Sequence, residues 1–79
     1  MKPEVAFGKI LRNTRSKRGW SQETLGLNCD LDRTFISMLE RGVRQPSLGS
    51  IISIAVALEI PPDQLVKMTI NLLNEENNL

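Results

Sequence analysis

Apolar residues in this 79-residue chain recur at three- and four-residue spacings, the period of a helix face, and almost nowhere alternate as a strand would. Phe7, Ile10, Leu11 and Thr14 share one face of a first helix predicted over Pro3–Lys17. Pro3 suits a first turn, Glu4 complements the positive end of the helix dipole, and Gly19 supplies a left-handed stop. Lys9, Arg12 and Arg18 fall outside the stripe. A second, short helix follows the Ser21 cap and ends near Cys29. Trp20 and Leu25 flank that cap as a hydrophobic staple, so Trp20 reads as a packing residue rather than a binding one. Asp30, a residue type that tolerates a left-handed turn, comes next. A third helix opens with Asp32 as cap and Leu31 and Ile36 as staple, and Gly42 ends it. Ile36 and Leu39 point inward. Thr34, Ser37, Met38 and Arg41 line the opposite side, with Arg33 beside them in the first turn. The fourth helix is capped by Ser47 and runs to about Glu59. It is apolar nearly all round, which predicts burial on more than one side. Pro61 and Pro62 end it, and Pro62 and Asp63 launch a fifth helix from Gln64 to about Leu73. That helix carries two apolar stripes, Leu65/Thr69/Leu72 and Val66/Ile70/Leu73, with Met68 between. One stripe can pack on the domain; the other needs a partner. Asn74–Leu79 reads as a polar, frayed tail.

The expectation is therefore an all-α fold: one compact five-helix domain over residues 1–79, without an internal repeat or a long linker. An apolar fraction of 41% is ordinary for a globular chain and argues against disorder. A core drawn from so few residues is only modestly stable alone, so dimerisation would add burial.

Composition narrows the chemistry. There is no histidine and one cysteine, Cys29. That removes histidine general bases, Ser-His and Cys-His nucleophile pairs, zinc sites needing several Cys or His ligands, and an internal disulfide. A reducing cytosol fits, and Met1-Lys2-Pro3-Glu4 has no signal-peptide character, so the expected location is cytoplasmic. The apolar run Ile51–Leu58, broken by Ser53, is far short of a membrane span, so no membrane partner is expected. No cofactor, metal or small-molecule ligand is expected either. An enzyme is the least favoured class: no carboxylate pair, phosphate loop or activated nucleophile stands out, and Cys29 reads as structural.

The net charge of +1 conceals two unlike halves. Residues 1–44 carry nine Lys/Arg against five acids, a balance of +4, and residues 45–79 carry one Lys against four acids, a balance of −3. A basic half suits a polyanion, although a bias of this size also fits ordinary solvated charges.

Two capped helices joined by three or four residues are the sequence form of a helix-turn-helix. The runs Ser21-Gln22-Glu23-Thr24-Leu25, Leu31-Asp32-Arg33-Thr34-Phe35-Ile36-Ser37, Leu39-Glu40-Arg41-Gly42 and Pro46-Ser47-Leu48 resemble the phage Cro/repressor helix-turn-helix family over about residues 5–66. Within it they look most like the controller proteins of restriction–modification systems. The resemblance implies a dimeric, double-stranded-DNA-binding transcription regulator acting on a near-palindromic operator. It places Arg33, Thr34 and Ser37 at base edges and Gln22 on a phosphate. It pairs Arg15 with Glu40 as a structural ion pair, consistent with Arg15 extending the apolar stripe of the first helix by one turn. Arg33 can fork onto guanine O6/N7, and Thr34 can meet a thymine methyl. Arg41 and Arg44 are expected at phosphates, with a minor groove as the other destination for Arg44. Asp32 is read as a cap before a base contact, and Phe35 as a core residue.

Three positions depart from that family's pattern. Gly26 replaces an alanine, Asp30 a turn glycine, and Val56 a position often held by lysine. Val56 with Val66, Ile70 and Leu73 suggests a homodimer interface on the fourth and fifth helices; the other reading is a fuller monomer core. A competing function is a protein-interaction module, antitoxin-like or antirepressor-like, that uses the same apolar surface for another protein.

Overall fold

The computed structural model describes residues 1–77, without the Asn77 side chain. Five helices account for its regular structure: α1 Pro3–Lys17, α2 Gln22–Cys29, α3 Arg33–Glu40, α4 Leu48–Ala57 and α5 Pro62–Asn77. Local chemistry sets most of their ends. The Ser21 hydroxyl accepts from the Thr24 amide at 3.0 Å, the Asp32 carboxylate from Thr34 at 3.1 Å, and the Ser47 hydroxyl from Ser50 at 3.0 Å. Each satisfies a first-turn N–H that the helix itself leaves open.

The C-termini share one device. Gly42 donates to Leu39 O and Val43 donates to Met38 O, both at 3.1 Å, with Gly42 at φ 73°. This paired closure is a Schellman motif and needs a left-handed residue. Gly19 serves the same purpose after α1, at φ 75°. Asp30 (φ 56°) and Glu59 (φ 58°) do so without being glycine after α2 and α4. The left-handed stop at Glu59 corrects the expected end of the fourth helix, which is already closed at Leu58.

The fifth helix differs from expectation at both ends. Pro61 O accepts from the Gln64 and Leu65 amides, so Pro62 is the first helical residue rather than a preface to Gln64. The helix then continues to Asn77, into the segment read as a frayed tail. Asn71–Asn77 contains no Gly or Pro to stop it, and its glutamates favour helix. The expectation for residues 78 and 79 lies outside the described residues.

The core comprises Phe7, Leu11, Leu25, Cys29, Ile36, Leu39, Ile54, Ala55, Leu58 and Leu65. It draws on every helix, with α1 packing on α3 and α5, and α2 on α3 and α4. Two glycines permit close approach. A Cβ on Gly8 would collide with the backbone oxygens of Leu39 and Glu40, where α1 crosses the end of α3. A Cβ on Gly26 would lie 2.5 Å from Leu31 O, so this glycine makes room for the α2–α3 turn as well as lowering helix propensity. Trp20 is half-buried against the core. The Arg18 guanidinium lies 4.6 Å from its ring centroid, donates to Leu58 O at 3.2 Å and pairs with Glu59 at 3.1 Å. Arg18 thereby ties the end of α1 to the corner between α4 and α5, which turn through 107°.

α4 does not bury its whole circumference. Ile54, Ala55 and Leu58 are inside, but Leu48, Ile52 and Val56 are exposed at i, i+4, i+8. Within one chain α4 packs on both α2 and α5, and this row is the part of its circumference left open.

Candidate nucleic-acid interface

α3 is held at its back and open at its front. Ile36 and Leu39 are fully buried, whereas Arg33, Thr34 and Arg41 are exposed and Ser37 is half-buried. Arg33, Thr34 and Ser37 line one shallow depression of about 180 Å³ together with Gln22 from the first turn of α2. Arg33 also borders a second depression shared with Glu23, Leu27, Leu31 and Asp32. The turn between α2 and α3 thus brings Gln22 beside three side chains that follow it by eleven to fifteen positions in the chain.

An ion pair fixes the end of α3 from behind. Arg15 donates from Nε to Glu40 Oε2 at 2.6 Å and from Nη2 to Glu40 Oε1 at 2.9 Å. Its Nη1 donates to Trp20 O at 2.7 Å, just before the cap of α2. The Glu40 side chain is 3% exposed and that of Arg15 12%, so the fork is shielded from water. The hydrogen bonds that Arg15 donates to Glu40 raise the guanidinium pKa above its usual value; burial opposes this, and the carboxylate's charge reinforces it. Gln22 joins the group by donating from Nε2 to Glu40 Oε1 at 3.1 Å, a link that sequence spacing did not reveal.

The remaining cations have different surroundings. Arg41 caps the end of α3 and is exposed. Arg44 is exposed on the following loop, with its guanidinium 5.7 Å from the ring centroid of Phe35. Phe35 itself is half-buried against the core. Arg15 and Arg18, by contrast, are engaged within the protein. The basic bias of residues 1–44 therefore overstates the charge free to meet a polyanion.

Cys29 is buried, and burial pushes its thiol pKa up. A thiol held neutral in this way is a poor nucleophile.

Further apolar side chains are uncovered on α4 and on α5. Val56 is 65% exposed, Ile70 48% and Val66 38%, while Leu73 is half-buried. The other stripe of α5 packs inward, with Leu65 and Thr69 buried and Leu72 half-buried. Leu48 and Ile52 extend the exposed apolar row on α4. Their spacing of eight and four residues from Val56 was legible, but an all-round apolar helix masked it.

The helix-turn-helix family matches residues 9–65, which include α2, α3 and the turn between them. The chain belongs to the helix-turn-helix family. This helix-turn-helix protein is 47% identical over 66 residues to the control protein C.BamHI of Bacillus amyloliquefaciens, covering 82% of each chain. It is 36% identical over 63 residues to the control protein C.MunI of Mycoplasma sp, covering 78% of this chain and 85% of that one. The crystal structure of the restriction-modification controller protein C.AhdI from Aeromonas hydrophila superposes with a TM-score of 0.76 at 45% identity, covering 78% of this chain and 94% of that one. With its fold and family, the chain is a DNA-binding transcription regulator. No single helix among the described residues is long and apolar enough to cross a membrane.

Proposed function

We propose that this regulator is a homodimer that binds a near-palindromic double-stranded operator and controls a restriction–modification system. The observation that carries the reading is the single depression formed by Gln22, Arg33, Thr34 and Ser37 on the uncovered side of α3. In the proposed complex α3 enters the major groove, where Arg33 forks onto guanine, Thr34 meets a thymine methyl and Ser37 hydrogen-bonds a base edge. Gln22, Arg41 and Arg44 engage phosphates and set the register. Identity to proteins named as control proteins supports the regulatory assignment.

The dimer reading rests on Val56, Val66, Ile70 and Leu73. A row of exposed valine and isoleucine on a domain this small gains much from a second copy. Two-fold symmetry then presents two α3 helices to successive major grooves, about 34 Å apart. The activity is binding, with no chemistry performed on the DNA, and it takes place in the cytoplasm.

Gel-shift titration against genomic fragments at two salt concentrations tests this. The expected result is tight binding to a few fragments, two chains per site, and affinity that falls steeply with salt. Equal weak binding to every fragment, or none at low salt, would remove the proposal and return the α4–α5 surface to a protein partner.

A further inference from the structure

Glu40 has two partners, and they perform different tasks. Its Oε1 accepts from Arg15 Nη2 at 2.9 Å and from Gln22 Nε2 at 3.1 Å. The bidentate fork and near-complete burial make Glu40 a fixed acceptor. A glutamine amide has two N–H donors on one rigid plane, so holding one hydrogen constrains the direction of the other. Gln22 is also the first residue of α2, where backbone N–H groups have no partner within the helix and favour an anion.

We propose that Glu40 is a positioning residue for DNA binding: it holds one amide hydrogen of Gln22 so that the second is presented to a backbone phosphate. The proposal rests on the reading of Gln22 as a phosphate ligand. Arg15 completes the device. A bare carboxylate beside a phosphate would repel it, and the guanidinium forked onto Glu40 cancels that charge. A residue of α1 and a buried residue of α3 thus govern a DNA contact that neither makes.

Such a contact has a signature that scaffolding alone does not. Gln22 is neutral, so its loss should weaken binding without changing the salt slope, unlike the loss of an arginine. The test uses a duplex selected from a random pool, with a neutral methylphosphonate placed at one backbone position at a time, below the melting temperature of every variant. Wild type should lose roughly tenfold in affinity at the phosphate that Gln22 reaches, and Gln22→Ala should abolish that penalty. Glu40→Gln should reduce the same penalty to under about threefold while leaving the penalties at other phosphates intact. A full penalty in Glu40→Gln, with Gln22→Ala still abolishing it, overturns the positioning role and leaves Gln22 as a phosphate ligand. Identical profiles for wild type and Gln22→Ala overturn the reading of Gln22 itself, and the proposal with it. If Glu40→Gln does not fold, NMR of the unaltered protein decides. One Gln22 side-chain amide proton should exchange markedly more slowly than the other, and two equally fast protons would overturn the proposal.

Discussion

The outer side of α3 and the outer side of α4–α5 are both uncovered, yet they are built differently. Behind α3 stand two fully buried side chains, Ile36 and Leu39, and a shielded ion pair from α1. Its front carries Arg33, Thr34 and Ser37, short or charged groups suited to polar edges. The α4–α5 side exposes Leu48, Ile52, Val56, Val66 and Ile70, with a core behind them and with Ser53, Asp63 and Lys67 exposed among them. The first surface offers polar and charged groups on a rigid support. The second leaves burial incomplete and calls for another apolar surface. Under the proposed function, rigidity lies where sequence would be read, and uncovered apolar area where a second copy would dock.

The largest expected effect breaks the support behind α3. Glu40→Ala leaves Arg15 buried without its carboxylate, costing about 3 kcal/mol. For a domain of this size the melting temperature should fall by more than about 10 °C, measurable by circular dichroism. An unchanged melting temperature would mean that α3 is held by packing alone.

The second test strikes the other surface. Ile70→Asp should raise the dimer dissociation constant by about 100-fold or more, because a carboxylate would have to be desolvated at the interface. Sedimentation should then find monomer at concentrations where the parent chain is dimeric, with the helical content of the monomer retained. Intact dimers would move the interface elsewhere.

The third and fourth tests separate roles within the α3 surface. Arg33→Ala should cost ~1–3 kcal/mol at one base position in competition binding and change affinity for random DNA far less. Arg44→Ala should weaken binding to all sequences alike and lower the salt slope by about 1. Exchanged outcomes would exchange their roles.

The smallest effect lies in the core. Burial raises the Cys29 pKa, so the native state keeps its thiol proton more tightly than the unfolded chain. That contribution to stability is complete below the unfolded thiol pKa and is lost as pH rises through the native one. Denaturant unfolding should show this loss above about pH 8.5, and Cys29→Ala should remove that component.

Features encoded over a few residues were legible in the sequence. The caps Ser21, Asp32 and Ser47, the turn at Asp30 and the inward pair Ile36 and Leu39 depend on neighbours one to four positions away. So did the division of α5 into a packed stripe and a spare one. The features that were missed depend on distant partners. Arg18 falls outside the apolar stripe of α1, and nothing near it in sequence announces its partners, Leu58 O and Glu59, some forty residues on. The left-handed Glu59 had no local sign, since glutamate does not favour that conformation. The open row Leu48/Ile52/Val56 was hidden because hydrophobicity alone does not say which side of an apolar helix the domain covers. The Gln22–Glu40 link was missed because Gln22 reads as a phosphate ligand and Glu40 as the partner of Arg15, and eighteen residues separate the two.

The most direct test of the central claim is selection of bound duplexes from a random DNA pool, followed by the same selection with Arg33→Ala. The account predicts a two-fold symmetric consensus whose half-sites are centred about 10 base pairs apart, with information lost at one position per half-site in the variant. No enriched sequence, or an enriched sequence that Arg33→Ala leaves unchanged, would contradict the claim that the open side of α3 reads DNA.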